Sequence, residues 1–435
     1  MLTGIIICFI VGYVLIVLEH PLKLDKTVPA LLMAALCWAL LSLGHLPVMN
    51  LHDGHLVEGD LESVLLHHLG KTAEILIFLI GAMTIVEIID LHRGFEVLKG
   101  WVKTRSKTRL LYVISILGFI LSAIIDNLTA TIVLITLLRK LIQKHDERIW
   151  YAAMVVIAAN AGGAWSPIGD VTTTMLWIGK KVSSMGLISQ LVIPSIMCAF
   201  VPVVVASFLR PFKGNITMED SDPSESGKLK SSRTMLFLGL GAIIFVPVFK
   251  TVTHLPPYVG MMLGLGVVWL VSEYIHPEED FDEERRHLFS ATKALSRIEL
   301  SSILFFLGIL MAVAALESLG LLLHFAQGLD RAIPNQDLVV MLLGVGSAII
   351  DNVPLVAAAM GMYAEPLDAK IWHFIAYAAG TGGSMLIIGS AAGVAAMGME
   401  RIDFIWYVKK ISWLALVGFL AGAGTFLLIN MFITA

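Results

Sequence analysis

The chain has 435 residues, of which 57% are hydrophobic and only 15% charged, and its mean hydropathy is +0.85. A soluble domain carries about 45–50% apolar and about 25% charged residues, so these figures exclude that class and indicate a polytopic helical membrane protein. The net charge of −4 sits mostly in connections and suggests no nucleic-acid partner.

The first span, near 2–18, follows Met1-Leu2-Thr3 with no basic n-region and no small-residue cleavage site after it, so it is expected to stay as a helix. A second span follows near 27–44. The acidic connection 45–72 carries His45, His52, His55, His67 and His68, which read as a pH sensor, a metal site or an amphipathic surface helix with incidental imidazoles. Further spans are expected near 73–91, 150–179, 187–209, 234–250, 257–274, 299–317, 371–399 and 411–433, about ten full crossings in all. Cys8, Cys37 and Cys198 fall inside apolar spans and read as small buried hydrophobes. Barrel strands would show short alternating segments, and none is visible.

Two apolar stretches, 110–138 and 337–364, are different. The first lies between connections rich in Arg and Lys: Arg93, Lys99, Lys103, Arg105, Lys107 and Arg109 before it, and Arg139, Lys140, Lys144 and Arg148 after it. Both flanks are therefore expected on the cytoplasmic side. Its 29 residues reach ~44 Å as one helix, whereas two crossings need about 40 residues. A re-entrant hairpin satisfies both conditions. The 28 residues of 337–364 repeat the arithmetic between flanks with no basic excess. The sequence "IIDN" stands near the middle of each, at 124–127 and again at 349–352.

The likeness continues beyond the tips. Gly162, Gly163 and Gly169 align with Gly382, Gly383 and Gly389, and Glu74 and Glu299 both stand at an expected helix start. Each half then holds five spans and one hairpin, so the second runs upside down relative to the first. The expected fold class is an all-α polytopic membrane protein of two inverted-topology repeats. Residues 1–209 form the first, with hairpin 110–138 and broken helix 150–179. A cytoplasmic linker, 210–233, leads to the second, 234–435, with hairpin 337–364 and broken helix 371–399. Paired broken helices point at a transporter's binding site.

An aspartate at the bilayer centre costs on the order of 2.5–3.5 kcal/mol, so Asp126, Asp170 and Asp351 need a reason to be there. Helix capping is one: Asp126 for the returning half-helix, Asn352 likewise, and Ser166-Pro167 as cap and first residue. A cation site is the other, because carboxylates, hydroxyls and backbone carbonyls make a hard-cation shell. Its oxygens would come from Asp126, Asn127, Thr129, Asn160, Asp170, Thr172, Thr173, Asp351 and Asn352, with Ser347, Thr381, Ser384 and Ser390 nearby. Three carboxylates at related breaks favour the cation site, with Na⁺ placed at Asp126, Asp170 and Asp351. A carboxylate that accepts either Na⁺ or a proton is the basis of an antiporter. Glu74 and Glu299 belong to the site, form a proton route or anchor helix ends. Trp165 and Met385 read as packing.

The stretch 160–177, "NAGGAWSPIGDVTTTMLW", together with "IIDNLTAT" and "IIDNVPLVAA", resembles the NhaD-type Na⁺/H⁺ antiporters of the ion transporter superfamily. The likeness runs through nearly the whole chain. It implies a homodimer in a lipid bilayer, expected to be a bacterial inner membrane, with a scaffold and a mobile domain moving like an elevator. It also implies Na⁺, Li⁺ and H⁺ as transported ions, with no cofactor, and a role for the Asp, Asn and Thr residues named above. The second repeat departs from the first, with Ser390 for Asp170 and Gly380 for Asn160, so an asymmetric site is expected. The nearest rival is a Na⁺-coupled carrier of dicarboxylate or arsenite in the same superfamily, which would want Ser-Asn-Thr tips facing the anion. An intramembrane enzyme lacks any recognisable motif here, and paired gates favour alternating access over a channel.

Overall fold

The computed structural model describes residues 1–18, 22–52, 55–102, 104–216, 229–275, 289–349 and 351–434. Those residues are almost entirely helical. Helices α1 (Leu2–Val17) and α2 (Thr27–Leu43) lead into a two-stranded antiparallel sheet, β1 (Val48–His52) with β2 (His55–Gly59), in which Val48 pairs with Gly59 and Asn50 with Val57. This sheet corrects the all-helical expectation. Long helix α3 (Leu61–Leu91) begins twelve residues earlier than hydropathy suggests, because Asp60 caps it by accepting from the Ser63 amide. Glu74 therefore lies in the body of α3 rather than at a helix start.

The early start of α3 also disposes of the histidine-rich loop as one surface helix. His67 and His68 are helical, and His68 is buried with its Nε2 3.2 Å from Ser318 Oγ and its ring beside Trp38. His45 is exposed at a left-handed turn, and the side chains of His52 and His55 lie outside the described residues.

A 3₁₀ segment (Gly94–Trp101) precedes α4 (Lys107–Ile125) and α5 (Asn127–Leu141), which break at Asp126 and pack against each other. Next come α6 (His145–Gly163), α7 (Val171–Ile178) and α8 (Ser184–Ser207). The second half holds α9 (Ser231–Thr253), α10 (Pro257–Tyr274), short α11 (Ala291–Leu295) and α12 (Leu300–Ser318). An amphipathic α13 (Leu321–Ala332) precedes α14 (Gln336–Gly346) and α15 (Asn352–Met362). Then follow α16 (Lys370–Gly382), α17 (Ala391–Glu400), α18 (Phe404–Lys410) and α19 (Ser412–Thr434).

Six of these helices are long and apolar enough to cross a membrane by length and composition: α3, α4, α8, α9, α12 and α19. Five of the six match expected spans, and α4 belongs instead to the expected hairpin 110–138. Of the remaining expected spans, α1 and α2 have 16 and 17 residues, two are each split in the middle, and α10 is not among the six. Helix α4, at 19 residues, is itself long enough to cross, unlike the shorter arms α14 and α15. Large apolar side chains such as Phe208, Val252, Leu270 and Phe432 are more than half exposed, which suits contact with lipid tails and not with water.

Packing sorts the helices into two groups, and each draws on both halves of the sequence. One comprises α1, α2, α3, α9, α10 and α12, with α2 laid along α12. The other comprises α4 to α8 and α14 to α19, with α8 laid along α19. The groups meet along a seam where α12 packs on α15, α9 on α4 and α3 on α7. Sequence halves are therefore not spatial domains.

Candidate functional site

Four helix starts face the middle of the second group, and each is capped by the side chain just before it. Asp126 accepts from Thr129 N and Thr129 Oγ1, both at 2.8 Å. Asp170 Oδ1 accepts from Thr172 N at 2.8 Å and Thr172 Oγ1 at 2.5 Å. Asp351 Oδ1 accepts from Val353 N at 3.1 Å, and Ser390 Oγ from Gly393 N at 3.1 Å. The caps are thus Asp126, Asp170, Asp351 and Ser390. Asn352 is the first residue of α15, and Ser166-Pro167 lies in the break before α7, so neither caps a helix. Capping and a functional carboxylate prove compatible. Asp170 and Asp351 each use one oxygen for the cap and turn the second elsewhere.

Asp126 also has unusual backbone, with φ 82° and ψ 158°. That region belongs almost solely to glycine and costs about 1–3 kcal/mol for other residues. The capping bonds and the packing of α4 on α5 hold it there.

Behind the caps lies a continuous polar network. Asn127 Nδ2 donates to Asp170 Oδ2 at 2.5 Å and to Asn160 Oδ1 at 3.0 Å. Asn160 Nδ2 donates to Ser384 Oγ and Ser390 Oγ, both at 2.9 Å. Asn160 is fully buried and so ties the break of one half to the break of the other. Ser384 is held in turn by Tyr407, whose hydroxyl donates to its carbonyl at 2.9 Å. Thr173 donates to the Asp170 carbonyl at 2.9 Å. Ser347 and Thr381 donate to the backbone carbonyls of Ala379 and Tyr377, which makes them framework residues. Trp165 stacks on Phe119, and Met385 is buried in the core.

The same backbone contacts build both breaks. A Cβ on Gly162 would strike the Phe119 carbonyl, and one on Gly382 would strike the Gly344 carbonyl. Gly163 rests on the Gly169 carbonyl just as Gly383 rests on that of Gly389. Ser122 Oγ donates to Ala159 O as Ser347 Oγ donates to Ala379 O. Two differently sequenced halves have arrived at one local geometry.

In front of the caps is a cavity of about 100 Å³ lined by Asp126, Asn127, Thr129, Asp170, Asp351 and Asn352. Lys26, Thr174, Glu299 and Ser302 add to its polar wall, and Phe78, Phe306 and Ile243 are among its apolar lining. It shares Lys26, Thr129, Glu299, Ser302 and Asp351 with a wider vestibule of about 820 Å³. That vestibule reaches Glu87 and Arg297 at the end of α3 that runs into the basic connection 92–109. Glu299 caps no amide, but it accepts from Ser302 Oγ at 3.0 Å. Glu74 is not among the lining residues of either space.

The aspartates share a wall without meeting at a point: among the described residues, no three carboxylates, imidazoles or thiolates are grouped to hold one ion. Lys26 is the residue that sequence reading overlooked. Its Nζ lies 2.8 Å from Asp351 Oδ2 and 4.5 Å from the centre of the Phe305 ring. No local signal marks it, because a lysine at the start of an apolar helix looks like an interfacial anchor.

With that geometry in view, comparison with known proteins decides the family. The citrate transporter family profile (CitMHS) matches residues 13–382. "Sodium/proton antiporter 2" of Arabidopsis thaliana is 45% identical over 98% of this chain and 99% of its own. "Na(+)/H(+) antiporter NhaD" of Alkalimonas amylolytica is 32% identical over 97% of this chain and 89% of its own. The chain belongs to the NhaD-type Na⁺/H⁺ antiporters, within the citrate transporter family. Among solved structures, the Alcanivorax borkumensis YdaH transporter superposes with a TM-score of 0.62 at 14% identity, over 94% of this chain and 98% of that one. At that identity the likeness concerns the fold alone; it is the family membership that indicates an integral membrane transporter rather than an enzyme.

Proposed function

We propose that this member of the NhaD-type family exchanges Na⁺ or Li⁺ for H⁺ by alternating access, with cation and proton competing for the carboxylates of Asp126, Asp170 and Asp351. The observation that carries this reading is that all three, each at a helix break, line one cavity at the end of a vestibule. Since they do not converge, a cation would be held by one carboxylate at a time together with neutral oxygens from Asn127, Thr129 and Asn352. We read the two halves as inverted repeats, with 107–141 and 336–362 approaching the centre from opposite membrane faces. The likeness of their glycine and serine contacts supports that reading.

One observation favours an anion carrier instead. Four helix N-termini point inward, and such ends attract anions. The citrate name of the family profile agrees with it. Yet each N-terminus is already met by its own capping side chain, and three of those caps are acidic. With Glu299 added, the cavity wall holds four acidic side chains and one lysine, an arrangement that repels a dicarboxylate.

The deciding experiment uses everted membrane vesicles with a preset proton gradient. Na⁺ or Li⁺ is expected to dissipate the gradient, while citrate, succinate and arsenite leave it intact. Transport of an anion with no response to Na⁺ or Li⁺ alone would overturn the exchange reading.

A further inference from the structure

Lys26 and Asp351 sit on opposite sides of the seam. Lys26 immediately precedes α2 in the group built around α1, α2, α3, α9, α10 and α12. Asp351 precedes α15 in the other group. Their 2.8 Å ion pair therefore crosses from one helix group to the other, at the point where the inner cavity meets the vestibule. Both side chains are largely covered, at 26% and 18% exposure, so water screens the pair only partly.

The surroundings show why Lys26 points this way. Asp25 accepts from the Thr27 amide at 2.8 Å, and hydrogen bonds from Thr27 hold its carboxyl below the usual carboxylate range. Asp25 is thus committed to the start of α2. Phe305, from the neighbouring α12, offers its ring face to the Lys26 ammonium and steadies it towards the seam. Asp126, Asp170, Glu299 and Tyr13 are further titratable groups near the pair.

We propose that Lys26 is a latch that the transported cation must displace. The inference rests on the exchange reading above and adds a residue and a step to it. With no cation bound, the Lys26 ammonium occupies Asp351 and fastens the two groups together, so the unloaded carrier is held in place. An entering cation competes for the same oxygen. Once it holds Asp351, the tie across the seam is gone and the groups are free to move with their cargo. Lys26 is a positioning residue in this scheme: it touches the carboxylate that takes the ion, and never the ion itself.

Competition of this kind has a definite sign. A ligand that must first free its site binds with an apparent affinity reduced by the fraction of sites that are free. Removing the competitor raises apparent affinity, while removal of a merely structural residue lowers it or leaves it alone. Lys26→Gln should therefore reduce the half-saturating Na⁺ concentration about five-fold at fixed pH in everted vesicles. It should also quicken the decay of the preset gradient before any Na⁺ is added, because the unloaded carrier is no longer fastened. Lys26→Arg, which keeps the charge at nearly the same reach, should move both quantities back towards wild type. Should the glutamine variant fail to accumulate, Lys26→Met, with an equally flat chain against Phe305, carries the same test.

A half-saturating Na⁺ concentration in Lys26→Gln equal to or above that of wild type, at equal protein level, would overturn the latch while leaving the exchange reading intact. Absence of any Na⁺ or Li⁺ response in wild type is a different failure, that of the exchange reading itself.

Discussion

At the scale of single residues, Asp126, Asp170 and Asp351 each cap a helix, and the proposed exchange gives them a second role that substitutions can separate from the first. Asparagine keeps the capping oxygen and asks no more of the backbone than aspartate does, so Asp126→Asn should preserve the start of α5 and cost less than about 1 kcal/mol of stability. It removes the charge, and exchange in vesicles should be lost. Full activity in both Asp126→Asn and Asp351→Asn would reduce the aspartates to caps. Asn160→Ala makes the converse case. It leaves Asn127, Ser384 and Ser390 short of a buried partner, which costs about 1–3 kcal/mol and should show as a lower melting temperature of the purified protein. These positions were legible in the sequence because an ionisable or amide side chain inside an apolar run stands out. Lys26 was not, because its partner lies 325 residues away and only the fold brings them together.

At the scale of elements, what decides the geometry is how closely backbones approach. Helices α6 and α16 each end in a glycine pair that presses on a neighbouring carbonyl, and the chain runs through a short irregular stretch before α7 and α17 begin. Gly162→Ala and Gly382→Ala should both be destabilising by about 1–3 kcal/mol, since the obstacle in each case is backbone and cannot swing aside. A matched loss of melting temperature in the two variants is the expected outcome. Tolerance of both would mean that the breaks do not depend on close contact. The sequence displayed these breaks through repeated glycines and the two copies of "IIDN". It did not display the start of α3. Residues 61–72 are mixed in polarity and read as a loop, and what makes them helical is a cap at Asp60 and a buried face of Val64, His68 and Thr72. The β1–β2 hairpin was missed for a related reason: two five-residue strands that pair only with each other leave no long alternating pattern to recognise.

At the scale of the whole molecule, the seam between the helix groups is open at one end and shut at the other. The vestibule leads from the cavity to Glu87 and Arg297, beside the basic connection that should face the cytoplasm. At the opposite end, Lys250 of α9 donates to the Trp177 carbonyl of α7 at 3.2 Å and lies 4.2 Å from the centre of that tryptophan's ring. Those two contacts cross the seam and join the groups on the side away from the vestibule. Alternating access requires such ties to break as the vestibule closes, so their removal should favour the opposite orientation. A cysteine at Ser302, which lines both cavity and vestibule, can report this in a background where Cys8, Cys37 and Cys198 are replaced by serine or alanine. A membrane-impermeant maleimide should label it readily in everted vesicles and poorly in right-side-out ones. A charge-assisted hydrogen bond together with a cation–π contact is worth about 1–2 kcal/mol in a partly dry setting, so Lys250→Gln should shift the ratio of the two labelling rates by about 5–30-fold. Labelling from the everted side should fall while labelling from the other side rises, because a population moved between two orientations must leave one to enter the other. A rise on both sides would mean that the substitution had only loosened the helices, and an unchanged ratio would mean that Lys250 closes nothing.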